Sequence, residues 1–311
     1  MLNIKTGIIP RAQKVVIYGA EGVGKTTLAT KFPNPLIIDT EGGTAHMDVR
    51  RIDRPQNWDE LISIVNEVAA TPDVCGTLVL DTADWSEAIC IAHICTKYKQ
   101  PSIESFGYGK GYTYVGEEFS RLLSALDKVI AAGIHVVVTA HAKMRKFEQP
   151  DEMGAYDRWE MKLSKQAAPL LKEWADLVLF CNYQTYVVTT ENKSQKAQGG
   201  KRVMYTSQHP CWDAKNRHGL PEVLDLDYEN IAQLFMKAEA AAVITPLDKV
   251  KQLMTDSGIN EDALMQFIHS KGHHQNATGL ADCPESFITG WVLKYWNAIV
   301  NNITAGAAQL S

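Results

Sequence analysis

The 311-residue sequence lacks the patterns of zinc-binding, secreted and membrane proteins. Its six cysteines form no CxxC pair, and a site built from Cys283, His273 and His274 lacks a fourth ligand. No apolar run approaches the ~18 residues that a membrane span needs. The first residues, MLNIKTGIIPRAQ, contain no apolar signal-peptide core. We therefore expect reduced thiols, a cytoplasmic location and no membrane partner.

The sequence also lacks a strong excess of charge of either sign. The net charge is −5, and 22% charged residues accompany 45% hydrophobic residues, as in ordinary globular proteins. This composition does not by itself indicate nucleic-acid or membrane binding, although it leaves room for a local basic patch. A length of 311 residues fits one large α/β domain with a small appendage.

Short β-branched runs alternate with longer amphipathic segments, which predicts an α/β fold with a mostly parallel sheet flanked by helices. The strands are expected at Lys14–Tyr18, Leu36–Asp39, Thr77–Asp81, His135–Thr139 and Leu177–Cys181. Two antiparallel strands are expected to follow, at Tyr186–Thr190 and Arg202–Thr206.

The domain organisation is predicted from a change in composition near residue 238. Residues 1–237 are expected to form the α/β core, and residues 238–246 (AEAAAVITP) a linker. Residues 247–311 are expected to form a small helical domain, with helices at Leu247–Ser257, Glu261–Ser270 and around Ile288–Ile299.

A phosphate-binding loop carries the strongest functional signal. The segment GAEGVGKT matches GxxxxGK[ST], follows the β run VVIY and precedes a helical segment, which is the context this motif requires. Its backbone N–H groups are expected to surround phosphate oxygens. We expect Lys25 to reach the β- and γ-phosphates of ATP and the Thr26 hydroxyl to bind Mg²⁺. The predicted nucleotide-binding residues are Gly19, Ala20, Glu21, Gly22, Val23, Gly24, Lys25, Thr26 and Thr27.

Two acidic residues at strand ends complete the predicted chemistry. Asp81 ends the apolar strand TLVLD, which is typical of a carboxylate that binds the metal ion; an ordinary strand-end aspartate is the alternative. Glu41 follows the strand LIID, where a carboxylate can deprotonate a water for attack on the γ-phosphate. An exposed loop glutamate is the alternative for Glu41.

Four segments in this order resemble the RecA-like recombinase and hexameric-helicase superfamily: GAEGVGKTT, LIIDTEGG, LVLDT and AKNRHGLP. Within it, the sequence is most similar to phage-encoded RecA-like ATPases associated with single-strand annealing. The TAHAK strand end and the later helix in Val136–Lys172 carry that similarity. The resemblance spans roughly Ala12 to Met236. It implies a RecA-like P-loop NTPase core that acts as a homo-oligomer, in a ring or a filament, with a single-strand binding or annealing protein as a possible partner.

The resemblance also implies roles for individual residues. Glu41 matches the catalytic glutamate, and His141 stands where relatives carry a γ-phosphate sensor, commonly Gln. A strand-end histidine bonded to a backbone carbonyl is the alternative for His141. Lys215 and Arg217 resemble a basic finger that reaches the ATP site of the neighbouring subunit, where a cation stabilises transition-state charge. A solvated basic turn is the alternative.

Two segments are candidates for contact with single-stranded DNA, because both combine cations with aromatic side chains. One is the glycine-rich segment Phe106–Tyr112, which contains Lys110. The other begins at Lys143 and carries the predicted contact residues Lys143, Arg145, Lys146, Arg158 and Trp159. The alternative is that both segments are mobile lids over the nucleotide.

The sequence therefore predicts a Mg²⁺-dependent ATPase that acts in oligomers on single-stranded DNA during recombination, annealing or repair. A small-molecule P-loop kinase is one alternative, although no arginine-rich lid is evident and Glu41 suits a water better than a substrate hydroxyl. A nucleotide-switched assembly scaffold without DNA is the other.

Overall fold

The computed structural model describes residues 6–7, 11–148, 154–189, 195–235 and 246–307. The chain divides into two compact units, Met1–Met236 and Lys237–Ser311. Of the linker predicted at 238–246, only Pro246 lies within the described residues, and it begins a helix. Among the described helices, none is both long enough and apolar enough to cross a membrane.

The first unit is built on one large sheet. Its described strands are β1 Lys14–Gly19, β2 Pro35–Asp39, β3 Arg51–Ile52, β4 Thr77–Asp81, β5 His135–Glu148, β6 Ala155–Met161, β7 Leu177–Thr189, β8 Gln195–Tyr205, β9 Lys215–Asn216 and β10 Val223–Asp225. The strand order is β10-β8-β7-β1-β5-β4-β2-β3, with β6 paired to β5 and β9 paired to β7. The pairs from β7 to β3 along this order are parallel, whereas β8, β10, β6 and β9 pair antiparallel.

Helices cover the sheet because its central strands are apolar on both faces. In β1, Val16 and Tyr18 enter one buried cluster, while Val15 and Ile17 enter the cluster on the opposite side. The described α-helices of this unit are α1 Lys25–Ala29, α2 Trp58–Ala70, α3 Ala83–Lys97, α4 Lys110–Ala131 and α5 Ala167–Trp174. The prediction of an α/β core with a mostly parallel sheet is confirmed.

The second unit is helical, as predicted. Its described α-helices are α6 Pro246–Ser257, α7 Glu261–Ser270, α8 Glu285–Phe287 and α9 Trp296–Ala307, with a π-helical segment at Ile288–Leu293. The single helix expected around Ile288–Ile299 is therefore divided between the π-helical segment and α9. This unit has its own core, in which Val250, Leu264 and Val292 are fully buried.

Two strands are much longer than the apolar runs that predicted them. Strand β5 continues beyond Thr139 to Glu148 and pairs with β6, while β7 continues beyond Cys181 to Thr189 and pairs with β8. The strand expected at Arg202–Thr206 is also longer, because β8 already begins at Gln195. Thr190 lies outside the described residues. These extensions project as hairpins beyond the buried part of the sheet.

The parallel register brings the predicted site residues to one edge. Gly19 pairs with His141 and Asp39 pairs with Asp81, so that the carboxyl ends of β1, β2, β4 and the buried part of β5 meet there. Glu41 follows β2 by two residues. In parallel α/β sheets this edge is where ligands bind.

Candidate nucleotide-binding site

The phosphate-binding loop joins β1 to α1, as the motif predicted. A side chain at Gly19 would put its Cβ 2.0 Å from the carbonyl oxygen of Cys181, so only glycine allows β1 to lie this close to β7. Gly24 has a φ of 106°, a conformation that favours glycine. The Lys25 ammonium donates hydrogen bonds to the carbonyl oxygens of Gly19 and Ala20 at 3.1 and 2.9 Å. Burial lowers the pKa of Lys25.

Thr26 and Asp81 form the pair expected to hold the metal ion. The Thr26 hydroxyl donates to the Asp81 carboxylate, with oxygen separations of 3.0 and 3.2 Å. A second hydroxyl, that of Thr139 on β5, also donates to Asp81. Burial raises the pKa of Asp81, while these two hydroxyls act in the opposite direction. A hydroxyl and a carboxylate are oxygen ligands of the kind that Mg²⁺ prefers, so the pair fits this ion.

No larger metal centre accompanies this pair in the part of the chain that the structure describes, where no three His, Cys, Asp or Glu side chains are grouped for metal binding. A magnesium ion held by one or two protein groups and by substrate phosphates does not need such a group.

Asp39 shapes the turn that carries Glu41. Its carboxylate accepts hydrogen bonds from the main-chain N–H groups of Gly42, Gly43 and Thr44 at 2.6, 3.1 and 2.9 Å, and from the Thr44 hydroxyl at 2.6 Å. Burial opposes ionisation of Asp39, but these hydrogen bonds outweigh it and lower the pKa of the carboxyl. Asp39 is thus fully engaged by the backbone, which leaves Glu41 as the free carboxylate of the turn.

Glu41 lies at the site edge beside His141. Its side chain is 35% exposed, and its Oε2 is 4.0 Å from the Nε2 of His141. Burial is the main cause that raises the pKa of Glu41, and His141 partly counteracts it. A carboxylate with a raised pKa at this edge has the chemistry of a general base.

His141 is held by a residue that the sequence did not single out. Asp84, in the first turn of α3, accepts from the main-chain N–H of His141 at 3.0 Å, and its other oxygen is 2.8 Å from the imidazole Nδ1. The His141 ring therefore binds a carboxylate through Nδ1, and not a backbone carbonyl as in the alternative. Asp84 lies three residues after Asp81 in the first turn of α3, and no motif in the sequence marks it for this role.

The β7–β8 hairpin adds two further side chains at the phosphate-binding loop. The Tyr183 hydroxyl donates to the carbonyl oxygen of Gly22 at 3.2 Å. Arg202, opposite Tyr183 on β8, brings its Nη1 to 3.0 Å from the point where a Cβ on Gly24 would lie. Both side chains could contact a bound nucleotide. No motif in the sequence singles out Tyr183 or Arg202, because only the hairpin pairing brings them to the loop.

Lys215 and Arg217 lie beside the amino-terminal end of β7, at the end of the strands opposite to the phosphate-binding loop. The Lys215 ammonium donates to the carbonyl oxygens of Lys172 and Glu173, at 3.3 and 2.9 Å, and to the carbonyl oxygen of Ala175. Lys215 thereby caps the C-terminal end of α5. Arg217 pairs with Asp176 at 2.9 Å, and its side chain remains 58% exposed. Neither residue reaches the phosphate-binding loop of its own chain.

The residues predicted to contact DNA have different surroundings. Arg145 is half-exposed, 3.8 Å from Glu160, and Lys146 is exposed. Arg158 is nearly buried in an ion pair with Asp213 at 2.6 Å. Trp159 is half-buried, with its ring centroid 6.0 Å from that of Phe180. Arg158 and Trp159 therefore already have partners within the protein, which leaves Lys143, Arg145 and Lys146 as the exposed cations of this hairpin.

Lys110 lies on a helix and not in the glycine-rich loop that the sequence indicated. It begins α4, and its ammonium is 5.7 Å from the centroid of the Tyr114 ring. Tyr108, just before it, is fully exposed. The aromatic and cationic character of this segment remains at the surface, but much of its backbone is helical.

A cavity of about 420 Å³ beside the β5–β6 hairpin collects four cations. Two of them, Lys143 and Arg145, were expected, and Lys165 and Lys172 join them from the segment before α5 and from α5 itself. Among the lining residues of this cavity, Lys143 donates a hydrogen bond to the carbonyl oxygen of Leu163 at 2.8 Å. Glu160 and Asp213 also line the cavity, so its positive charge is partly compensated.

The mostly parallel sheet and the phosphate-binding loop between β1 and α1 define an α/β P-loop protein. The sequence matches the AAA domain family over residues 11–218, and the chain belongs to this family. Two similar solved structures are the flagellar accessory protein FlaH from Methanocaldococcus jannaschii and the KaiC-like protein PH0186 from Pyrococcus horikoshii OT3. FlaH is 10% identical, with a TM-score of 0.34 over 63% of this chain and 78% of FlaH. The KaiC-like protein is 12% identical, with a TM-score of 0.36 over 63% and 79% of the two chains. The search of curated proteins gave no match.

Proposed function

We propose that this protein hydrolyses Mg-ATP with a water activated by Glu41 and works as an oligomer on single-stranded DNA, in recombination, annealing or repair. The observation that carries the proposal is the meeting of Lys25, the Thr26–Asp81 pair and Glu41 at one sheet edge. The catalytic carboxylate is separate from the carboxylate that would hold the metal ion. The phage origin suggested by the sequence resemblance belongs to the same proposal.

The proposed reaction is an in-line displacement. Glu41 accepts a proton from the attacking water, whose oxygen forms a bond to the γ-phosphorus while the bond to the β,γ-bridging oxygen breaks and ADP leaves. Lys25 binds the β- and γ-phosphates. Held by the Thr26 hydroxyl and the Asp81 carboxylate, Mg²⁺ would neutralise charge on these phosphates. Glu41 suits the base role because its pKa is raised while its side chain stays accessible.

Oligomerisation is proposed because Arg217 stands far from its own site. Asp176, its ion-pair partner, precedes Cys181 by five residues, and Cys181 pairs with Gly19. At about 3.3 Å per residue, Arg217 is roughly 16 Å along the strand from the phosphate-binding loop. An exposed arginine at this distance supports a contribution to the neighbouring subunit's site. Lys215, which caps α5, would hold the segment that carries Arg217 in place.

DNA binding is proposed at the β5–β6 hairpin and the cationic cavity beside it. Cations that line an open cavity suit the phosphates of a flexible single strand without sequence preference. Lys110 and the exposed Tyr108 offer a second cation with an aromatic side chain. An annealing or single-strand binding protein would be the functional partner.

The rate of ATP hydrolysis with and without single-stranded DNA tests this function. We expect DNA to accelerate hydrolysis, and the acceleration to weaken as salt rises, because phosphate contacts release counterions. Double-stranded DNA at equal nucleotide concentration is the matched control. Turnover that responds only to a small-molecule phosphate acceptor would indicate the kinase alternative. Nucleotide-dependent assembly without a response to either would indicate the scaffold.

A further inference from the structure

Asp84 and His141 form a clamp beside the proposed catalytic glutamate. Both oxygens of one carboxylate bind a single residue, since Asp84 accepts from the main-chain N–H and faces the ring Nδ1 at 3.0 and 2.8 Å. Both side chains are nearly buried, with exposed fractions of 9% and 12%. A carboxylate that is engaged twice by one residue fixes both the position and the rotation of the imidazole ring.

The clamp determines which ring nitrogen faces the site. An ionised carboxylate accepts only, so Nδ1 must carry a proton where it meets Asp84. The second nitrogen, Nε2, then lies on the open side of the ring, 4.0 Å from Oε2 of Glu41. If His141 were neutral, Nε2 would present a lone pair to a carboxylate. If His141 is protonated, Nε2 presents an N–H group.

We propose that Asp84 is a positioning residue that keeps His141 as an imidazolium, so that Nε2–H is offered to the γ-phosphate and to Glu41. This inference rests on the proposed ATPase function, because the γ-phosphate is the group that the N–H would recognise. Asp84 itself touches no reacting atom. It acts through His141, which without it would lose both its fixed orientation and its charge.

The charged groups around the ring support this role. Asp84 is the main cause that raises the pKa of His141; burial opposes it, Glu41 also raises the pKa and Lys25 lowers it. The pKa of Asp84 is lowered, because the hydrogen bonds from His141 outweigh its burial. As pH rises through the raised pKa of His141, the ring loses the Nε2 proton and keeps the Nδ1 proton on Asp84. The donor facing the site is then lost.

The competing interpretation is that the pair only ties α3 to β5. A near-isosteric variant separates the two, because Asp84→Asn keeps the shape and an acceptor for the His141 main-chain N–H but removes the charge. Glu87→Gln is the matched control. It makes the same carboxylate-to-amide change one turn further along α3, where Glu87 binds the main-chain N–H of Ser164 at 3.0 and 3.1 Å.

The test is an NMR titration of the histidine rings in the nucleotide-free full chain, with His141→Gln used to assign the resonance. We expect Asp84→Asn to lower the pKa of His141 by about one unit or more, and Glu87→Gln to leave it within a few tenths. The alkaline limb of the rate of ATP hydrolysis should move to lower pH with Asp84→Asn alone. An unchanged titration, or an alkaline limb that does not move with it, would overturn the proposal. A wild-type chain that hydrolyses no ATP would instead contradict the proposed function, whereas the titration would still report on the clamp.

Discussion

At the scale of single residues, the site depends on side chains that hold other side chains in place. Asp39 binds three main-chain N–H groups and leaves Glu41 free, while Thr139 and Thr26 both donate to Asp81. These contacts orient the proposed catalytic groups before any ligand binds. Orientation of this kind is what makes electrostatic stabilisation of a transition state effective.

A nucleotide-contact role for Arg202 is the first prediction at this scale. Because its guanidinium lies against Gly24, we expect Arg202→Ala to weaken ATP binding about tenfold, the loss typical of one charge-assisted hydrogen bond. Titration with a fluorescent ATP analogue measures this. Lys201→Ala is the control, since Lys201 is adjacent but pairs with Asp225 at 2.6 Å. Equal affinities for the Arg202→Ala variant and the wild type would remove Arg202 from the site.

The acidic side of the pH dependence tests Glu41. A general base must be deprotonated, and the pKa of Glu41 is raised by burial with Asp81 and Asp84 adding to it and His141 and Lys25 opposing. The single-turnover rate should therefore fall, as pH decreases, at a higher pH than the ordinary glutamate value of about 4.3. Circular dichroism at each pH shows whether the fold persists. A rate that stays constant down to that ordinary value would exclude Glu41 as the base.

At the scale of elements, apolar runs predicted the buried parts of the sheet well. The runs ending at Asp39, Asp81 and Thr139 all mark strands, because burial on both faces requires apolar residues throughout. In β5, residues 143–146 beyond the buried run are exposed and mostly polar, so the same signal ends where burial ends. Asp84 and Arg202 were missed for a related reason, since they come to the site only through strand register and hairpin pairing.

The β5–β6 hairpin carries the DNA prediction. Replacing Lys143, Arg145 and Lys146 together with Ala should weaken binding to single-stranded DNA and reduce the slope of log affinity against log salt by up to about 2, at roughly 0.7 per lost phosphate contact. Fluorescence anisotropy at several salt concentrations measures both. Lys249, Lys251 and Lys271, all exposed in the second unit, give a control triple variant with the same change in charge. If both triple variants behave alike, this hairpin is not the DNA site.

Trp159 allows a second test of the same element. Its ring packs against Phe180 and is half-buried, so stacking on a DNA base would require it to leave this contact. We expect Trp159→Ala to reduce the free energy of unfolding more than it reduces the free energy of DNA binding. The thermal unfolding temperature reports the first loss. A loss of affinity of ~1–3 kcal/mol with an unchanged melting temperature would instead make Trp159 a stacking residue.

At the scale of the whole molecule, the two edges of the sheet have separate roles in this account. One edge carries Lys25, Glu41 and Asp81, and the other carries Arg217. Arg217→Ala leaves Asp176 paired with Arg11 at 2.7 Å, so the variant does not create an unpaired buried charge. It should bind ATP normally and hydrolyse it far more slowly, since such a finger contributes on the order of 10³–10⁵ in rate.

Mixing two inactive variants shows whether Arg217 acts between subunits. Lys25→Ala and Arg217→Ala should each be nearly inactive, and their mixture should regain part of the wild-type rate. In a mixed oligomer, some interfaces pair an intact phosphate-binding loop with an intact finger. Capture of one variant through an affinity tag on the other shows whether mixed oligomers form. If they form and no activity returns, Arg217 is not a finger supplied to the neighbour.

Single-turnover hydrolysis by Glu41→Gln, compared with ATP binding by the same protein, decides whether Glu41 is the general base. Gln keeps the size of the side chain but cannot accept the water proton, so ATP should bind with close to wild-type affinity while hydrolysis is lost. Lys25→Ala should differ, because it loses contacts to the phosphates and therefore the affinity itself. Hydrolysis by Glu41→Gln at the wild-type rate would contradict the account.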